Sequence, residues 1–456
     1  MSGPEARPLG GRAARAPSHL EVLRLAWPIV LANSAVPLLG LVDTAVIGNT
    51  GTVVGLGAIA LGALLFNFAY WSFGFLRMGT TGFTAQASGA GDEAEVRATL
   101  GRALLLAAAI GVLLIMLQRP IAWAALELLG GSRDVEALTR SYFDIRIWGA
   151  PASLGTFAIL GSFVGLGRTG HVLTTQLVLN GLNIVLDVLF GGVLGWGVPG
   201  IALGTAIAEW TTLLVALLLA FRILRARHSD DEGLWPWPRV LDSQRAIATL
   251  GANADILVRT LFLLLGFAWF TNEGAQFGDT ILAANHVLLQ LVSMSAYLLD
   301  GYAHATEIWV GRAVGTRARS VFDGAVRSAT HLAAITAVAL CAIVLLAGPA
   351  AIAALTDLGG VRRVANTHLP LAALYVLVSF AAFQLDGIYI GATWTRAMRN
   401  ASVLSFGSFL VASLTLVPLA ANVGLWTAFV FYVVVRAIAL LVPFAGLRAR
   451  SVGPTT

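Results

Sequence analysis

Long apolar stretches alternate with short polar connectors along the whole chain. The apolar runs lie near 24–47, 54–86, 98–128, 137–166, 170–191 and 196–223, and again near 245–271, 280–311, 325–355, 364–391, 399–420 and 423–446. A helix needs about 20 apolar residues to cross a bilayer. Several of these runs exceed that, which predicts tilted or protruding helices. The pattern predicts an all-α integral membrane fold of about twelve transmembrane helices in two six-helix lobes. The expected division is a disordered cytosolic tail over 1–19, an N-lobe over 20–223, an inter-lobe loop over 224–244, a C-lobe over 245–447 and a tail over 448–456.

Composition sharpens this picture. Of 456 residues, 57% are hydrophobic and only 12% charged, roughly half the charge of a soluble domain. The spans and connectors leave no length for a soluble catalytic domain. The arginines, which supply all of the Lys and Arg content, fall mainly in alternate connectors: Arg12 and Arg15, Arg97 and Arg102, Arg168, Arg222 to Arg227, Arg312 to Arg319, Arg396 and Arg399, Arg448 and Arg450. Arg133, Arg140, Arg362 and Arg363 depart from the alternation. The positive-inside rule then puts both termini in the cytosol of a multi-pass protein, with the bacterial inner membrane as the expected location. The basic excess serves topology, so the lipid bilayer and not nucleic acid is the expected partner. The single cysteine, Cys341, lies in an apolar run and reads as a small buried hydrophobe. No cleavable leader is expected, because the first run is too long and carries Asp43.

The two halves resemble each other. Gly79, Thr84 and Gly89 in the second run match Gly301, Thr306 and Gly311 in the eighth at equal spacing. Gly161 and Gly165 precede Arg168 as Gly387 and Gly391 precede Arg396, and Gly200 matches Gly424. Small residues at such spacing let helices approach closely. Parallel six-helix repeats imply a pseudo-twofold axis along the membrane normal and a central cleft, the common architecture of alternating access.

Polar residues inside the runs are the candidate chemistry, because charge in the hydrocarbon core is costly. The first run carries Pro28, Asn33, Pro37 and Asp43. A proline inside a helix removes one backbone donor and lets it bend, so Pro28 and Pro37 are the expected bending points and Asp43 a coupling carboxylate. A position for Asp43 in the outer headgroups is the structural alternative. In the fifth run Gln176, Asn180, Asn183 and Asp187 recur at spacings that put them on one helix face. Thr205 could complete that pocket from the sixth run, with Glu209 more weakly placed. Buried carboxylates exchange protons near neutral pH, and the same oxygens suit a desolvated sodium ion. A hydrogen-bonded stripe joining helices is the alternative. In the second half Tyr297, Asp300, His304 and Glu307 share a face, Asp386 precedes Gly387, and Asn285 lies near the outer start of the eighth run. Asp255 and Arg259, four apart, suggest a structural ion pair. No phosphate-binding loop and no His-Glu-x-x-His zinc motif occurs, so no metal or cofactor is expected and an ion gradient is the expected energy source.

The chain resembles the multidrug and toxic compound extrusion family, within its DinF-like branch. The segments that carry the resemblance are Leu41-Val-Asp43-Thr-Ala-Val-Ile-Gly48, Asn183-Ile-Val-Leu-Asp187, Asn253-Ala-Asp-Ile-Leu-Val-Arg259-Thr260, Asp300-Gly-Tyr-Ala-His-Ala-Thr-Glu307 and Asp386-Gly-Ile-Tyr-Ile-Gly391. The resemblance implies two lobes of six helices and export driven by proton or sodium entry. It implies that Asp43 and Asp187, with Asn183 and Thr205, form the N-lobe ion site. Asn180 is added to that site from helical spacing. Asp300, Glu307 and Asp386 match motifs of the C-lobe, to which Arg259, Asn285 and His304 are added. His304 departs from the apolar residue expected there.

The expected activity is therefore antiport of amphipathic organic cations against protons, with sodium as the alternative ion and a monomer sufficient. The rival is a lipid-linked oligosaccharide or lipid flippase of the same two-lobed shape. A flippase should carry a basic cluster in its cleft, where Arg259 is the one evident candidate. An intramembrane enzyme would need a convergent nucleophile or metal site, and no such pattern is present.

Overall fold

The computed structural model describes residues 15–35, 46–47, 52–130, 132–228 and 231–453. Among them there is no strand, and ten stretches are long and apolar enough to cross a membrane. The last of these, Thr395–Val452, holds a pair of spans. Its helix kinks at Ala420 and Ala421, just past Pro418. Ala421 has φ +46, a region that a residue with a Cβ seldom enters. The first apolar run is described only through its opening helix, α1 (His19–Ser34), and through Val46 and Ile47. The fold accommodates about twelve helices.

Several predicted runs break where the sequence allows it. The second run is α2 (Val53–Ser72) and α3 (Phe75–Ala90), separated at Phe73 and Gly74. The third is α4 (Glu93–Met116) followed by α5 (Gln118–Leu129). The fourth is α6 (Arg133–Arg146) and α7 (Ala150–Gly165), joined by a single tight turn at Ile147–Gly149. The fifth is α8 (Thr169–Asp187), which widens into a π-helical turn at Val188–Val193. The sixth is α9 (Gly197–Ala226). A one-turn helix, α10 (Trp237–Val240), lies in the inter-lobe loop. The second half comprises α11 (Ser243–Ala275), α12 (Asp279–Thr316), α13 (Arg319–Leu355), α14 (Gly359–Gly391), α15 (Thr395–Leu441) and α16 (Phe444–Val452).

The inter-lobe loop and the described end of the tail make specific contacts. Of the predicted tail, residues 15–18 pack on the far lobe. Ser328 Oγ donates to the Pro17 carbonyl at 3.0 Å, and Ala16 lies against Gly324. In the loop, Arg239 bridges Asp92 and Glu232 at 2.9 and 2.6 Å, and Arg227 pairs with Glu93 at 2.6 Å. Trp235 packs against the N-lobe core, whereas Trp237 is exposed.

The repeat is real, but its register differs by one helical turn from the glycine match at 79 and 301. Gly161 packs on the Arg77 carbonyl and Gly387 on the Ala303 carbonyl, while Gly165 packs on the Thr81 carbonyl and Gly391 on that of Glu307. These pairs (77 to 303, 81 to 307, 161 to 387, 165 to 391) are all 226 residues apart. Gly89 lies against the Arg312 backbone, and Gly315 reciprocally lies against the Gln86 carbonyl, again with partners separated by 226 (86 to 312, 89 to 315). Gly311 meets Ala85, its own equivalent, so the pseudo-twofold axis passes there. Small residues recur about every turn on helices that pack closely, and a one-turn shift therefore produces a convincing false match.

These contacts form a seam between the lobes at the arginine-rich end. A Cβ on Gly315 would stand 2.1 Å from the Gln86 carbonyl oxygen, so only glycine permits the approach. Across the seam Gln86 Nε2 donates to the Gly391 carbonyl at 2.9 Å, and Arg312 Nη2 donates to the Leu166 carbonyl at 2.7 Å.

Candidate functional site

The N-lobe cluster sits where α8 meets α9. Asn183, Asp187 and Thr205 are all but inaccessible to solvent. Asn183 Nδ2 donates to Thr205 Oγ1 at 2.9 Å, and Thr205 in turn donates to the Ile201 carbonyl at 3.0 Å. The second Asn183 atom, Oδ1, is buried with no hydrogen-bond partner among the described residues. Asp187 closes α8, immediately before the π turn, a feature frequent at functional sites. Its carboxylate lies against Gly204, where a Cβ would come within 2.8 Å of Oδ1. Asn180 Nδ2 donates to the Ala35 carbonyl at 3.0 Å, and Asn180 Oδ1 accepts from Gln176 Nε2 at 3.3 Å. The polar stripe on α8 is therefore tied to the end of α1. Pro28 lies inside α1, whereas Pro37 and Asp43 lie outside the described residues.

A second polar group lies one turn further along α9. Glu209 is buried and accepts from Tyr70 at 3.2 Å. Arg146 stands 4.5 Å above the Phe66 ring, with the rings of Tyr142 and Tyr70 at 5.5 and 5.9 Å. Such a cage offers a cation the negative faces of several rings. Gly149 makes room for Glu209, whose Oε2 would lie 1.9 Å from a Cβ there.

The C-lobe residues that the sequence grouped together divide into separate clusters. His304 bridges Asp300 (Nε2 to Oδ2, 3.0 Å) and Glu307 (Nδ1 to Oε1, 2.9 Å). From the other lobe Arg77 Nη1 reaches His304 Nδ1 at 3.2 Å and Glu307 Oε2 at 3.8 Å. Asn33 of α1 lies 3.4 Å from Asp300. Deeper in the C-lobe, Arg259 and Arg436 both pair with Oδ2 of Asp386. Asn285 belongs with neither group. It exchanges hydrogen bonds with Asn422 at 2.8 and 3.0 Å and accepts from Trp426 at 2.9 Å.

Two sequence-based expectations are corrected here. Asp255 does not pair with Arg259. It takes Arg399 at 2.7 Å and Thr395 at 2.9 Å, because Arg259 turns toward α14 and α15. Nor is Arg259 the lone arginine inside. Arg77, Arg146 and Arg436 also lie within spans, and Arg146 and Arg436 are buried. Each was visible as a charge in an apolar run, but a single arginine is averaged away over a long hydrophobic stretch.

Comparison with known proteins supplies the family. The MatE family model matches residues 28–189 and again 256–416, one copy in each half. The chain is 39% identical to DNA damage-inducible protein F of Escherichia coli K12 over 91% of this chain and 90% of that protein. It is 29% identical to a probable multidrug resistance protein NorM of Deinococcus radiodurans over 89% and 90%. Among solved structures, a MATE transporter in the straight conformation superimposes with a TM-score of 0.83 at 20% identity, covering 96% of this chain and 97% of that one. An outward-facing multidrug resistance MATE transporter gives 0.82 at 18% identity, covering 96% of each chain. Two matched family segments, the two six-helix lobes and the extended likeness in sequence identify this chain as a member of the MatE family of multidrug efflux transporters, a multi-pass membrane transporter and not an enzyme.

Proposed function

We propose that the chain is a proton-coupled antiporter that exports amphipathic organic cations by alternating access. The observation that carries this reading is the buried carboxylate of Asp187, enclosed with Asn183 and Thr205 in a lobe interior. A proton gained or lost at a carboxylate enclosed there changes the charge of the lobe interior, where charge is costly. Asn180, through the Ala35 carbonyl, ties the same stripe to α1. A change of charge at Asp187, and at Asp43 if it shares the pocket, would alter the fit of α1 and bend it at Pro28 or Pro37. Driving the transition requires that the proton and the cation favour different states of the two lobes. Sodium is the alternative ion, since the Asn183 and Asp187 oxygens suit it equally.

In this reading the arginine-rich end is cytosolic, with both termini there and the protein in the bacterial inner membrane. The closed seam at that end then makes the present conformation outward-open. A monomer contains both lobes and suffices for the cycle.

One observation favours the second reading, a lipid-linked oligosaccharide or lipid flippase. Arg259 and Arg436 share a single carboxylate, which leaves an excess positive charge where an anionic headgroup could bind. Export of a fluorescent cationic dye from proteoliposomes decides between them. Proton and sodium gradients are imposed separately, with Asp187→Asn and Asp43→Asn beside the unmodified protein. Dye movement driven by one gradient and lost in both variants supports antiport and names the ion. Movement of a fluorescent anionic lipid without dye transport favours the flippase.

A further inference from the structure

Arg77 of the N-lobe meets His304 and Glu307 of the C-lobe in a charged contact that breaks the symmetry of the two lobes. At a separation of 226, Asp300, His304 and Glu307 correspond to Gly74, Met78 and Thr81 of the N-lobe, and Arg77 corresponds to Ala303. The symmetric seam therefore carries an asymmetric ionic insert.

His304 Nδ1 lies within hydrogen-bonding reach of both Glu307 Oε1 and Arg77 Nη1, at 2.9 and 3.2 Å. A ring nitrogen serves one of these and not both. Arginine only donates, so Arg77 requires a lone pair on Nδ1, whereas the carboxylate of Glu307 requires an N–H. Nε2 faces Asp300 and donates in either state. The neutral ring thus accepts from Arg77 and links the lobes, leaving Glu307 to attract Arg77 at 3.8 Å. The doubly protonated ring binds both carboxylates, presents a positive charge and an N–H to Arg77, and loses the bond between lobes.

We propose that His304 is a second proton-carrying residue of the transport cycle, and that its protonation unlatches Arg77 and releases the seam at the arginine-rich end. The proton enters from the open cleft and attaches to Nδ1. The only bond broken is the hydrogen bond from Arg77. The proton leaves once the seam has opened to the opposite side. The inference rests on the proton-coupled reading above, and gives the protonated carrier a reason to turn inward.

The surroundings contain few competing charges. On α12 itself the ring faces Asp300 and Glu307, and from α3 it faces Arg77. The α1 neighbour is the uncharged Asn33. From α14 Gln384 bonds to Thr306 at 2.7 Å, while Asp386 is occupied by Arg259 of α11 and Arg436 of α15. On α13 His331 is exposed and stacks on His19, and α7 carries no charged residue. On α16 Arg448 is engaged with Asp323 and Arg450 lies over Trp394.

The test is a distance measurement in liposomes without transported substrate. Spin labels are placed at Ala226 and Ser320, both exposed at the arginine-rich end, in a Cys341→Ser background. As pH falls from about 10 to 5, a window wide enough for a histidine held between two carboxylates, the long-distance population should rise. The ratio of open to closed should change by up to about tenfold per pH unit. His304→Gln should abolish the step, and His304→Arg, carrying a fixed charge, should hold the end open at every pH. Retention of the step in His304→Gln, or no step in the unmodified protein, overturns the proposal even if proton-driven dye export persists. A step removed by His304→Gln in a protein that exports no cation under any gradient supports the latch and sinks the antiport reading instead.

Discussion

Gln86 and Arg312 occupy equivalent positions in the two lobes, and each donates a hydrogen bond to a carbonyl at the end of a helix in the other. Gln86 reaches Gly391 at the end of α14, and Arg312 reaches Leu166 just past α7. Helix ends carry carbonyls with no partner inside the helix, and a cation there also meets the favourable end of the helix dipole. The seam is thus closed by satisfying groups that each lobe leaves open.

Loss of either donor should loosen the seam. A hydrogen bond from a charged group is worth about 1.5–3 kcal/mol, so Arg312→Ala should raise access from the arginine-rich side roughly ten- to a hundredfold. Gln86→Ala should have a smaller effect. Alkylation of a cysteine at Val314 by a membrane-impermeant reagent, in a Cys341→Ser background, measures it. Gly315→Val, which forces a side chain onto the Gln86 carbonyl, should label fast under all conditions and transport nothing.

Asp187 and Gly204 should behave as one unit. Asp187→Asn removes the charge, and Gly204→Ala pushes a methyl group to within 2.8 Å of the carboxylate. Both should reduce gradient-driven dye export, by roughly 5- to 150-fold if coupling is of ordinary strength. Gly181→Ala on the same stretch of α8 meets nothing within 4 Å and should export normally. Equal activity in all three variants would remove Asp187 from the coupling site.

Glu209 depends on its neighbours. Arg146→Met takes away the nearest positive charge and leaves a buried carboxylate beside Tyr70. Breaking a buried pair costs about 3–5 kcal/mol, so the thermal midpoint in detergent should fall clearly. Combining Arg146→Met with Glu209→Gln should restore most of it. A midpoint that stays low in the double variant would assign the cost to lost packing of Arg146 against Phe66.

The start of α1 should respond to acid. Ser18 and Glu21 cap each other reciprocally, and the backbone bond from Ser18 holds the Glu21 carboxyl below its usual value. A lowered carboxyl stabilises the fold above the unfolded value and stops doing so as pH falls through the lowered one. Hydrogen-exchange protection of the first turn, corrected for intrinsic rate, should therefore be full near neutrality and fall in strong acid. Ser18→Ala should cost about 1 kcal/mol and flatten that pH dependence.

The sequence disclosed the helices, the lobes and the polar stripe of α8, because hydropathy and helical period act locally. Gln176 does bond to Asn180, and Asn183 does meet Thr205. It did not disclose which distant partners would meet. Arg259 pairs with Asp386 and not with Asp255 four residues away, since helix packing outweighs proximity in the chain. Asn285 and the other C-lobe residues look equally polar in the sequence but lie on helices whose contacts separate them. Arg77 escaped notice for a related reason. Its importance comes from the opposite lobe, through His304, and no local pattern records that.

The reciprocal contacts at Gln86, Gly89, Arg312 and Gly315 have the form of an isologous interface, in which residue i of one copy meets residue j of the other and j meets i. They describe how two identical six-helix units would dimerise, with Ala85 and Gly311 on the dyad. In such a dimer every substitution is made twice and every proton site is duplicated. Fusing the units into one chain frees each half to change alone. Arg77 and His304 exist only on that condition: a symmetric ancestor could not have placed a lone arginine opposite a lone histidine without also placing their copies across the axis.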